Sequence, residues 1–153
     1  MAATKDVSPR LAAGYLAAQV AGGIAGAVLA NAMFDAPLVA WSTTARAGSS
    51  QLLGEAVATF GLVGVVIAVG RTRAAITPFA VAAYIVAAYW FTASTSFANP
   101  AVTIARAFSD TFAGIRPRDV GGFVAAESAG AVAGAFVFGW LVPLDRCEVA
   151  PLR

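Results

Sequence analysis

Histidine is absent from this 153-residue chain, and cysteine occurs once, as Cys147. The first absence removes imidazole catalysis, imidazole proton relays and histidine metal sites. The second excludes an intrachain disulfide and a multi-thiolate metal centre. Neither a metal nor a cofactor is therefore expected. Charge is also scarce: 12% of residues are Asp, Glu, Lys or Arg, against 59% hydrophobic. A soluble domain carries about 25% charged residues because its surface faces water, and this chain has too few to cover one. A mean hydropathy of +0.78 agrees. The net charge is +2, but the basic residues are scattered, with no basic run or face, so no nucleic-acid partner is expected. No nucleotide loop, catalytic triad or paired-carboxylate arrangement occurs, which argues against an enzyme.

What the chain does have is long charge-poor stretches. There is no charged residue between Arg10 and Asp35, one (Glu55) from Gly48 to Gly70, none from Ala74 to Ala105, and one (Glu127) from Val120 to Leu144. Each is long enough to cross about 30 Å of hydrocarbon at ~1.5 Å per helical residue. The first is too long for a signal-peptide core. Spans are expected at about 11–34, 50–70, 74–93 and 120–143. The abundant glycine and alanine would let helices approach closely in lipid.

The third stretch is too long for one span and is interrupted. Thr92-Ala93-Ser94-Thr95-Ser96 is a polar run, and Asn99-Pro100 follows. Asparagine suits a helix N-cap and proline the first turn. A helix over about 100–108 would be roughly 14 Å long, half the hydrocarbon thickness. The expected fold class is an all-α membrane protein with four transmembrane helices and one re-entrant half-helix. It would be a multi-pass protein of the cell membrane with the lipid bilayer around it. Placing both termini in the cytoplasm puts Lys5, Arg10, Arg71, Arg73, Arg146 and Arg153 inside and Arg46, Arg116 and Arg118 outside. That is the sense the positive-inside rule favours.

The chain also matches itself. Ala17 through Ala27 lies over Ala125 through Ala135, an offset of 108, with Gln19 over Glu127. The match extends back, with Val7-Ser8-Pro9-Arg10 over Ile115-Arg116-Pro117-Arg118. First and last helices are then equivalent members of two repeats. An odd number of helices per repeat inverts the second copy in the bilayer. On this reading residues 1–153 form a single, N-terminally incomplete domain: the end of one repeat, then a whole one, without two spans and a half-helix.

Phe97-Ala98-Asn99-Pro100-Ala101-Val102-Thr103 resembles the signature of the aquaporin and glycerol-facilitator (major intrinsic protein) family. Glu55-Ala56-Val57-Ala58-Thr59 is similar to the Glu-x-x-x-Thr pattern of that family's fourth helix, and Tyr15 through Gly26 is similar to its third. The resemblance covers roughly residues 7 to 144. It implies a passive channel for water or small uncharged solutes such as glycerol or undissociated metalloid acids. It implies pore residues Asn99, Pro100 and Ala101, and a homo-tetramer. A truncated or split subunit needing a complementary channel half, or a small membrane assembly protein without transport, are the alternatives. The family usually places a filter arginine after the alanine, and here that position is Val102, so the filter would be wider or less polar. Arg106 is expected either to supply that charge or to lie at the outer surface.

Single residues complete the reading. A half-helix N-terminus carries unpaired N–H groups and about half a positive charge, which disfavours cations while Asn99 donates to neutral oxygen. Glu55, with Thr59, is expected to hold the segment before Asn99 through backbone N–H bonds; a proton or cation site is the other possibility. Glu127 has the same two readings. Gly22 with Gly26, and Gly130 with Gly134, are expected at close helix contacts, with the first and last helices crossing there. Trp41, Trp90 and Trp140 read as interfacial or packing aromatics. Asp110 pairs with Arg106 at helical spacing as a loop anchor.

Overall fold

The computed structural model describes residues 8–143. The expectations that involve Lys5, Val7, Arg146, Cys147 and Arg153 lie outside the described residues. Helix α1 runs Pro9–Met33, α2 Ser49–Thr72, α3 Thr77–Phe91, α4 Pro100–Ala105 and α5 Pro117–Leu141. A 3₁₀ turn, Ala74–Ile76, leads into α3, and a second, Arg106–Phe108, prolongs α4. Among the described residues there are no strands. Four helical segments, α3 counted with its leading turn, are long and apolar enough to cross a membrane. The chain is a multi-pass membrane protein.

Local chemistry sets the helix ends. Ser8 accepts a hydrogen bond from the Leu11 amide, and Pro9 opens α1. The third apolar stretch breaks as its polar run predicts: α3 stops at Phe91, residues 92–99 are irregular, and α4 restarts at Pro100.

Helices α2 and α5 form the central pair. Small residues permit it: a Cβ on Gly130 would collide with the carbonyl oxygen of Ala56, and one on Gly134 would lie 2.8 Å from that of Phe60. Gly64 makes room for Phe138, whose ring centroid lies 5.2 Å from that of Phe60. Helix α3 docks on α2 through Tyr84, which donates to the Ala58 carbonyl at 3.0 Å. Helix α1 lies against α4, where Gly23 faces Ala101 and Ala105.

This arrangement corrects the expected crossing of the first and last helices at their glycine pairs. Gly130 and Gly134 press on α2, whereas a Cβ on Gly22 or Gly26 would meet nothing within 4 Å. Contact between α1 and the half-helix is made by Gly23, about 100° around the helix from Gly22, which turns Gly22 and Gly26 outward.

Gly130→Val should lower the thermal midpoint of the detergent-solubilised chain, since the obstacle is backbone that cannot rotate away; overpacking of this kind costs about 1–3 kcal/mol. Gly22→Ala in the same assay should leave the midpoint where it was.

Candidate functional site: a short helix tip seated on two buried glutamates

The segment before α4 is backbone under strain. Thr95, Ser96 and Ala98 have φ of 62°, 47° and 48°, the left-handed region that non-glycine residues rarely occupy. Such geometry persists only where surroundings impose it. Here Glu55 does so from mid-α2. Its Oε1 accepts from the Phe97 amide at 2.9 Å and its Oε2 from the Ala98 amide at 2.7 Å. Glu55 is 0% exposed, and each bond is charge-assisted.

Glu127, on α5 and equally buried, holds the next step. Its Oε1 accepts from the Asn99 amide at 3.3 Å and from the Thr103 hydroxyl at 2.5 Å. Two helices thus grip three consecutive backbone N–H groups, those of residues 97, 98 and 99.

Asn99 is the N-cap of α4, its Oδ1 accepting from the Ala101 amide at 2.9 Å. That bond fixes the side chain and leaves both Nδ2 protons without a hydrogen bond among the described residues. Pro100 opens the helix and has no N–H to satisfy. Ala101 is buried. Thr59 is buried, but its hydroxyl has no partner among the described residues, so it makes no hydrogen bond to the loop.

Between α1, α4 and the segment after it lies a cavity of about 630 Å³. Val102, Ala105 and Arg106 line it from the half-helix, and Gly23, Ala27 and Asn31 from α1. Arg106 donates to the Ala113 carbonyl at 3.4 Å, and its guanidinium lies 4.4 Å from the centre of the Phe97 ring. The expected Arg106–Asp110 pair does not form. The helix ends at Phe108, so Asp110 is off its face and instead accepts from the Thr43 amide and hydroxyl at 2.8 and 3.0 Å. Trp41 packs on Phe108 at 4.8 Å between centroids.

Two polar residues at the centre of this architecture have no motif in the sequence that marks them as site residues. Arg46, expected in an outer loop, is only 6% exposed. It donates to the carbonyls of Gly114 (2.7 Å), Ser94 (2.8 Å) and Phe112 (2.8 Å) and to the Thr95 hydroxyl (3.2 Å). Its guanidinium also lies over Phe97, at 4.7 Å. Burial, and then repulsion from Arg106, hold it below the ordinary arginine pKa. Asn31, the buried residue near the end of α1, donates to the carbonyls of Leu38 (3.2 Å) and Phe108 (3.1 Å) and accepts from the Ser109 hydroxyl (2.7 Å). The available signal for Arg46 was its isolation: no other charge occurs between Asp35 and Glu55.

Comparison with known proteins places this architecture. The chain is 53% identical over 134 residues to the Aquaglyceroporin AqpS of Rhizobium meliloti (strain 1021), a match covering 88% of this chain and 58% of that relative. The chain therefore spans little more than half the length of the curated protein it matches. No family model matches it, and no solved structure does.

Proposed function

The chain belongs to the aquaporin and glycerol-facilitator (major intrinsic protein) family, and we propose that its Asn99 half-helix forms one wall of a passive pore for water or small uncharged solutes. Glycerol, which the relative's name implies for that protein, and undissociated metalloid acids are the solute classes. The observation that carries this reading is the Asn99 amide. Its oxygen is committed to the Ala101 N–H, which turns the donor end outward to meet a passing oxygen. The helix end behind it contributes about half a positive charge and disfavours cations and protons. Pro100 and Ala101 set the half-helix, and Glu55 keeps its approach in place. Val102 and Arg106 border the cavity beside it. With valine directly after the triplet, the passage is wider and less polar than an arginine there would leave it, which suits solutes larger than water.

The pore closes with complementary helices. Gly22 and Gly26 on α1 face open space, although their repeat equivalents Gly130 and Gly134 sit tightly on α2. A helix packing on α1 in the same way completes the opposite wall, whether supplied by a further segment or by another chain. Assembly into a tetramer of such pores in the cell membrane is the corresponding quaternary proposal.

Asn99→Asp tests the pore. Aspartate also caps helices, so the fold should survive, but both donors are lost and a negative charge is added. Solute flux into vesicles holding the assembled channel should fall about tenfold or more, the effect of losing roughly 1.5 kcal/mol of stabilisation at the barrier. Unaltered flux would remove Asn99 from the pathway. Vesicles holding this chain alone, compared with chain plus complementary helices, distinguish a self-sufficient pore from one needing a partner.

A further inference from the structure

The two glutamates under the half-helix are not equivalent. Both Glu55 oxygens receive a backbone N–H, the arrangement that stabilises an ionised carboxylate. Glu127 receives both of its donors on Oε1. Its Oε2 is buried and has no hydrogen-bond partner among the described residues. The donors to Glu127, Asn99 and Thr103 of the half-helix, are uncharged, Glu55 of α2 holds the adjacent amide, and Glu127 makes no ion pair among the described residues. An ionised Glu127 would therefore set a second negative charge beside the first, with an unpaired oxygen in a place water does not reach. Buried acceptors in that state are among the costliest arrangements in a protein interior. One proton on Oε2 removes both problems, since it cancels the charge and turns an unpartnered acceptor into a donor. The internal repeat points the same way: the residue matching Glu127 is Gln19, a neutral side chain of the same shape.

We propose that Glu127 holds a proton on Oε2 and positions Asn99 and Thr103 as a neutral carboxylic acid, so that the glutamate pair carries a single negative charge, on Glu55. Glu127 is a positioning residue: it acts on a solute only through the tip that it holds. The single charge faces the partial positive charge of the helix end. A second would make the seat of Asn99 attractive to cations. The proton therefore keeps the tip neutral enough to pass uncharged molecules.

Infrared spectroscopy of the full chain in lipid vesicles, in neutral buffer, reads this proton without reading flux, so its outcome is separate from that of the pore proposal. The native chain should show a protonated-carboxyl C=O stretch that shifts in heavy water and is lost entirely in Glu127→Gln. Absence of such a band overturns the proposal, as does one that persists in Glu127→Gln and vanishes in Glu55→Gln. Thermal stability gives an independent reading. Glutamine replaces a neutral acid at 127 but a charged one at 55, so Glu127→Gln should melt with the native chain and Glu55→Gln well below it. If Glu127→Gln is as damaged as Glu55→Gln, or fails to assemble, Glu127 is not neutral.

Discussion

Glu55→Ala is expected to abolish the seat of the half-helix. The substitution leaves the amides of Phe97 and Ala98 buried without acceptors, beside three residues in left-handed backbone. An unsatisfied buried donor costs about 1–3 kcal/mol, and more where its partner was charged. Two such losses, with the strain no longer restrained, amount to about 3–5 kcal/mol, comparable with breaking a buried ion pair. Membrane domains are marginally stable like others, so the variant should elute from detergent size exclusion as aggregate or melt far below the native chain. A native melting curve would mean that something other than Glu55 fixes residues 95–98. A lone carboxylate in mid-span has to find donors away from lipid, and the geometry shows which: a carboxylate has two oxygens, and the loop presents two adjacent N–H groups.

Arg46→Met should have an effect of similar size at a different place. Arg46 joins the segment before the half-helix, through Ser94 and Thr95, to the segment after it, through Phe112 and Gly114. Methionine fills much of the same volume and supplies no donor. The buried carbonyls of Ser94 and Gly114 and the part-buried carbonyl of Phe112 then lose their partners, at a combined cost of about 3–5 kcal/mol. Because the ties are between loops, the damage should be local before it is global. Trypsin cleavage after Arg118 should accelerate by roughly tenfold or more, in proportion to the population of the opened segment. Lysine at 46 has one donor centre instead of three nitrogens in a plane, and it should fall between methionine and the native chain. Equal cleavage rates in all three chains would contradict the role assigned to Arg46.

The contrast between these two residues shows what a sequence of this kind discloses. Helices α1, α2, α3 and α5 were legible because lipid demands long charge-poor runs, and a run that is too long with Asn-Pro inside it demands a break. Glu55 and Glu127 were conspicuous as lone carboxylates in such runs. Arg46 was not, because a charged residue in a loop is ordinarily solvated. Only the folding of three loops onto one another buries it, and that is a tertiary fact with no local pattern. Asn31 was hidden for the same reason, as a single amide near a helix end. The glycines illustrate a third case. Gly-x-x-x-Gly spacing identifies a face that can be approached closely, but not which helix approaches it. The partner of Gly130 and Gly134 is α2, and the adjacent Gly23, outside the pattern, is what lets α1 meet the half-helix.

All of this converges on the depth of residue 99. In the proposed pore, α4 starts inside the membrane with Asn99 at its inner end, seated on Glu55 and Glu127. A nitroxide attached at Asn99→Cys, in a chain carrying Cys147→Ser, reports that depth through its relative relaxation by oxygen and by a water-soluble nickel reagent. The expected depth is near the bilayer midplane, with positions 92 and 110 both shallower and on the same side. A label at 99 as open to nickel as an exposed loop, or a depth that changes steadily from 77 to 108 as along one continuous helix, would contradict it.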